Sequence, residues 1–255
     1  MKITFEIYYR TRWGESLFLS GDIDELGANE DNRAVMMDYQ GDGLWKYTME
    51  LPASAKKFHY EYLVKSGEGI RREWGSPHSF SPGRNAGEYR LVDRWRDVPA
   101  DLPFYSSAFI QGIFFRQHAD SVVETIEPGT LTVKVDASQL RPDERLVMVG
   151  DCPELGDWDV LKAPLLNDSS FPEWQITLDG RQLKFPFEYK FVIVRTHQRE
   201  VVAWETGENR ICREKPQNPS EAVVVSGLRF NGSESQWRGA GTAIPVFSLR
   251  TDYGF

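Results

Sequence analysis

A chain of 255 residues is long for one β domain and sufficient for two sandwiches of about 100 residues each. With 40% hydrophobic and 27% charged residues each half can bury a core, so disorder by composition is excluded. The net charge of -8, without any Lys/Arg run, argues against nucleic acid as a partner and is immaterial to a neutral ligand.

The start, Met1 to Glu6, alternates apolar and polar residues and shows neither a basic end nor an apolar block, so no signal peptide is expected. No stretch is long enough to span a membrane, and no membrane partner is expected. Ile3, Phe5, Ile7 and Tyr9 have the period of a half-buried strand. Further strands are predicted at Leu17–Gly21, Trp45–Leu51, Phe58–Lys65 and Tyr89–Val92. The segment Asp97–Pro128 contains Pro99 and Pro103, yet its middle, Phe104–Phe115, is apolar and aromatic. It is expected to dock the two halves together, the alternative being an extra strand of the second sandwich. Strands resume at Leu131, Val133 and Val135, then at Leu146–Gly150, Trp174–Leu178, Phe185–Val194 and Ala222–Leu228, with Gly, Pro, Asn and Asp between them. The predicted division is a first module at 1–97, a connection at 98–128, a second module at 129–230 and an outgoing segment at 231–255. Many short strands and no long amphipathic helix predict an all-β protein of two tandem antiparallel β-sandwiches.

The two halves are copies. Leu17, Gly21, Asp22, Leu26, Gly27, Trp45, Thr48, Phe58 and Tyr60 recur as Leu146, Gly150, Asp151, Leu155, Gly156, Trp174, Thr177, Phe187 and Tyr189, every pair 129 positions apart. One register held through strands and loops alike indicates duplication. Trp74 meets Trp204 after a shift of one residue. A Trp is more often core than site. Trp45 and Trp174 occur in both copies and are assigned to the shared core; Trp158 faces Asn29, and Lys190 faces Glu61, so these two are assigned to something only the second copy does.

In the second copy Leu155-Gly156-Asp157-Trp158 is followed by Phe187-Glu188-Tyr189-Lys190-Phe191, Trp204-Glu205 and Asn209-Arg210. This order and spacing resemble the immunoglobulin-like starch-binding domains of carbohydrate-binding module family 20, across Thr130–Leu228. The resemblance implies a two-ring platform of Trp158 and Trp204 for an α-1,4-glucan, hydrogen bonds from Lys190 and Asn209, and a weaker polar contact from Glu205. The chemistry agrees, since a glucose ring offers C–H groups on its face to an indole and hydroxyls on its edge to Lys or Asn. The first copy resembles the family less closely. It keeps Trp74 at a degenerate site, while Trp13 and Tyr39 fall where family members carry a second site; the alternative for Trp13 is an exposed or edge-packed ring.

The stretch Gly241–Phe255 matches neither copy and is similar to the opening of the 4-α-glucanotransferases of glycoside hydrolase family 77, the disproportionating enzymes. That resemblance implies a C-terminal catalytic domain beyond this chain as its partner; the alternative is a polar tail. Within the chain no catalysis is expected. Glu154, Asp157, Asp159 and Glu173 do not repeat as a carboxylate pair, and neither a nucleophile elbow nor a phosphate-binding glycine loop is present. His59, His78, His118 and His197 lack metal spacing, and Cys152 and Cys212 read as reduced thiols of a cytoplasmic protein, so no metal or other cofactor is expected. Three functions fit: a glucan-targeting module of a glucanotransferase, a free-standing glycogen-binding scaffold, or a regulatory module.

Overall fold

The computed structural model describes residues 1–52, 54–83, 87–98 and 126–232; the apolar connection Phe104–Phe115 and the stretch Gly241–Phe255 lie outside the described residues. The first module runs through β1 (Lys2–Tyr8), β2 (Ser16–Gly21), β3 (Val35–Met36), β4 (Asp38–Gly41), β5 (Leu44–Glu50), β6 (Phe58–Ser66), β7 (Gly69–Arg72), β8 (His78–Phe80) and β9 (Glu88–Arg94). The second runs through β10 (Thr130–Asp136), β11 (Glu144–Gly150), β12 (Asn167–Ser170), β13 (Glu173–Asp179), β14 (Phe187–Arg195), β15 (Val201–Trp204), β16 (Arg210–Cys212) and β17 (Glu221–Arg229). The long predicted strands are all present, and the strands of two to four residues are the ones that alternation over so short a span did not reveal. Among the described residues no helix is long and apolar enough to cross a membrane.

Each module is a sandwich. One layer of the first is β3-β2-β6-β7 with β8 paired to β6, and one layer of the second is β11-β14-β15 with β16 paired to β14. The remaining layer is common to both, an eight-stranded sheet in the order β12-β13-β10-β17-β9-β1-β5-β4. Pairing is antiparallel except at three junctions: β1 with β9, β10 with β17, and β17 with β9 across the two modules. The first and last strands of each sandwich therefore run side by side in one direction, and the two last strands weld the copies edge to edge. This removes two open sheet edges, each of which would otherwise expose unpaired backbone groups.

The weld exchanges core residues. Side chains alternate across a strand, so β17 sends Ala222 and Val224 into the core of the first module while Val223 and Val225 stay in that of the second. In return, β9 gives Val92 to the second core. Gly227 permits a close approach at the weld, because its φ is +76° and a Cβ there would stand 2.4 Å from the carbonyl oxygen of Arg94.

The repeated residues serve the same local structure twice. Trp45 and Trp174 are buried, and each indole N–H donates to a backbone carbonyl, Tyr9 at 3.0 Å and Ala137 at 2.9 Å. Asp22 and Asp151 accept the backbone N–H of His59 and Glu188 at 2.8 and 2.9 Å. Gly21 and Gly150 let that neighbouring strand close in, since a Cβ would lie 2.6 and 2.4 Å from the carbonyls of His59 and Glu188.

A buried polar network crosses the joint. The Asp93 carboxylate accepts from Tyr60 at 2.8 Å, Tyr62 at 2.7 Å and Ser226 of the second module. Ser226 also meets Nδ1 of His78 at 3.0 Å, and the other ring nitrogen lies 3.0 Å from Glu73. Burial opposes ionisation of Glu73, but His78 and the Arg96 guanidinium outweigh it and hold the carboxyl at about 2. Asp136 behaves oppositely: burial first, then the Glu173 carboxylate paired across β10 and β13, push it up to about 6. The folded state binds this proton more tightly than the unfolded chain, so the penalty of ionising Asp136 is absent below about pH 4 and complete above about pH 6. Asp136→Asn is accordingly expected to stabilise the protein at pH 7 by about 1–3 kcal/mol and to leave it unchanged near pH 3.5. Thermal melts of both proteins at the two pH values test this, and equal gains at both would refute it.

Candidate functional sites

The outer face of the β11-β14-β15 sheet gathers the residues that the second copy alone possesses. Phe187, Tyr189, Phe191 and Ile193 of β14 enter the main core. Alternation thus turns Glu188, Lys190, Val192 and Val194 outward. Residues directly opposite in antiparallel strands share a face. Lys190 is opposite Val149 of β11, and Val192 is opposite Trp204 of β15. Val147, Val149, Ala163, Val192 and Val194 form a small apolar cluster on this outside, and Trp158 packs on it. Both indoles therefore border the same patch: Trp158 half-buried against it, Trp204 43% exposed beside it.

Trp158 is held in an unusual backbone conformation. It follows the short 3-10 turn Pro153–Leu155 with φ +64°, and its N–H donates to Gly150 O at 2.8 Å. Its counterpart Asn29 has the same φ and donates to Gly21 O at 2.7 Å. Asn tolerates the left-handed region, whereas a bulky side chain there costs about 1–3 kcal/mol, an expense that clusters at functional sites.

The polar members frame the rings. Lys190 Nζ donates to the carbonyls of Glu205 at 3.1 Å and Gly207 at 2.6 Å, pinning the loop between β15 and β16. An ammonium has three donors, so one is left for a ligand hydroxyl. Asn209 Nδ2 donates to Glu188 at 2.8 Å, which orients the carboxamide and leaves its carbonyl oxygen to accept. Glu205 requires correction as a sugar contact: it is only 3% exposed, both of its oxygens are taken by Arg210, and it accepts from the N–H of Phe191. A carboxylate so enclosed braces the loop beneath the site. Exposed Val201 and Val202 on β15 and Leu165 beside β11 border the platform, a margin that the sequence hinted at only through the unalternating run before Trp204.

In the first module Trp13 stands in the turn between β1 and β2, fully exposed. Tyr39 lies on the edge strand β4, 57% exposed, its ring 5.1 Å from Trp45 and its hydroxyl accepting the Gly43 N–H at 3.2 Å. Trp74 is turned toward the other module, half-buried, with the Arg229 guanidinium 5.7 Å from its ring centroid. Among the described residues no three His, Cys, Asp or Glu side chains are grouped to hold a metal.

Open aromatic platforms with a few oriented donors and acceptors, carried on duplicated β-sandwiches, define a carbohydrate-binding protein. The model of the starch binding domain matches residues 1–85 and again 130–223, and the chain belongs to that family. It is 28% identical over 273 aligned positions to the 4-alpha-glucanotransferase DPE2 of Oryza sativa subsp. japonica, covering 98% of this chain and 28% of the rice protein. It is 34% identical over 71 positions to the AA13 family lytic polysaccharide monooxygenase A of Aspergillus terreus, 26% of this chain and 18% of that one. The chain thus spans less than a third of either relative. Among solved structures, the family 20 module of a maltotetraose-forming amylase from Pseudomonas saccharophila aligns at 20% identity and a TM-score of 0.31, over 38% of this chain and 99% of that one.

Proposed function

We propose that Trp158, Trp204, Lys190 and Asn209 hold α-1,4-glucan in the second module, that Trp13 and Tyr39 supply a contact in the first, and that the pair presents glucan to a 4-α-glucanotransferase domain outside this chain. The observation that carries the reading is the convergence of two indoles and an ammonium on one outer sheet face of the second copy only. Similarity to the rice glucanotransferase along 98% of this chain supports the link to transfer chemistry. A cytoplasmic setting belongs to the same proposal, supported by two free, buried thiols, Cys152 and Cys212.

Titration calorimetry with maltooligosaccharides is expected to give dissociation constants on the order of micromolar to millimolar, as befits open sites with few contacts. Absence both of heat and of retention on starch would end the proposal. Trp158→Asn, which installs the residue of the first copy at the same φ, is expected to weaken binding by the second module about tenfold or more while the melting temperature holds or rises. A melting temperature that collapses would place Trp158 in the core instead.

A further inference from the structure

A cavity of about 950 Å³ opens between the modules. Its volume is in the range of small-molecule sites, about 300–1,000 Å³. Lys57, Trp74 and Arg96 line it from the first module, and Asp136, Ser170 and Glu173 from the second. Trp74 occupies the sequence position of Trp204, yet the weld of β9 to β17 turns it toward this space, where Arg229 braces its ring. The charges balance, with two cationic and two anionic side chains on the wall. An anion would meet Asp136 and Glu173, and a cation would meet Lys57 and Arg96. A neutral ligand rich in hydroxyls, which both donate and accept, can use all four. Nη2 of Arg96 lies buried without a hydrogen-bond partner, and Trp74 offers an aromatic surface for C–H groups.

We propose that this cavity is a third glucan site, built jointly by both modules, which takes a short segment of α-1,4-glucan. The proposal rests on the glucan-binding function argued above and differs from it in needing residues of both copies at once. Neither module alone supplies the full wall, so the fixed joint is part of the site.

The test uses the full chain and maltotriose, following the indole N–H resonances of Trp74 and Trp204 by nuclear magnetic resonance. The Trp74 signal is expected to titrate with its own midpoint and to keep titrating in the Trp158→Ala/Trp204→Ala variant. Ser170→Arg, a change at an exposed position on the second module's wall, is expected to weaken the Trp74 titration about tenfold or more and leave that of Trp204 unchanged. A stationary Trp74 signal while Trp204 saturates would overturn the third site and leave the glucan function standing. An unaltered Trp74 titration in Ser170→Arg would assign the site to the first module alone and overturn the joint construction. If every indole stays still, the glucan reading itself fails.

Discussion

Retention on amylopectin or glycogen is expected to fall by about 10²-fold or more when either Trp204 or Trp13 is replaced by Ala, while maltotriose affinity at the untouched site stays the same. A short oligosaccharide occupies one site at a time. A polymer can reach several, and the second engagement is then governed by effective concentration, which raises avidity by about 10²–10⁴ when the geometry allows both. Here the spacing of the sites is fixed, because β9 and β17 are paired residue for residue from Glu88 and Glu221 to Val92 and Val225. The two sites also lie on different modules, Trp13 in the β1–β2 turn and Trp204 on β15. Affinity electrophoresis in gels with and without polymer, beside calorimetry with maltotriose, separates the two quantities. Should Trp13→Ala leave polymer retention as it was, the Trp13 site contributes no binding, and the bivalent account that pairs it with Trp204 is lost.

Trp174→Ala is expected to destabilise by about 3–5 kcal/mol, the usual cost of emptying a fully buried Trp site. Its indole also satisfies the Ala137 carbonyl, which truncation would leave without this donor. The two modules are expected to fail together in one calorimetric transition, wild type and variant alike. Each core contains side chains from the other module's last strand, Val92 in one direction and Ala222 and Val224 in the other, so unfolding either half strips cover from its neighbour. For the same reason the second module expressed alone would expose the β17 edge, making it a poor control for binding experiments. Two separate transitions, only one of them shifted by Trp174→Ala, would show that the weld does not couple the halves.

Sequence alone determined the features that depend on local periodicity and on comparing one copy with the other. Alternation marked the opening strand of each copy, because a half-buried strand must alternate whatever its neighbours are, and apolar runs between turn residues marked the other long strands. The constant offset marked duplication and separated shared residues such as Trp174 from those only one copy carries, Trp158 and Lys190, and the structure gives the shared ones the common hydrogen bonds and cores. Only the tertiary structure decided what depends on which edges meet. The run Glu221–Arg229 is nearly all buried, since its two faces enter different cores, and such a run does not say which strand lies beside it. Trp74 and Trp204 hold matching places in sequence, yet one faces the joint and the other solvent, because the joint covers only one of them. Glu205 has the sequence neighbours of a site residue and is buried under Arg210, a pairing made five positions on by the return of β16 along β14. Periodicity is a property of the chain, whereas exposure is set by whatever long-range packing places on top of it.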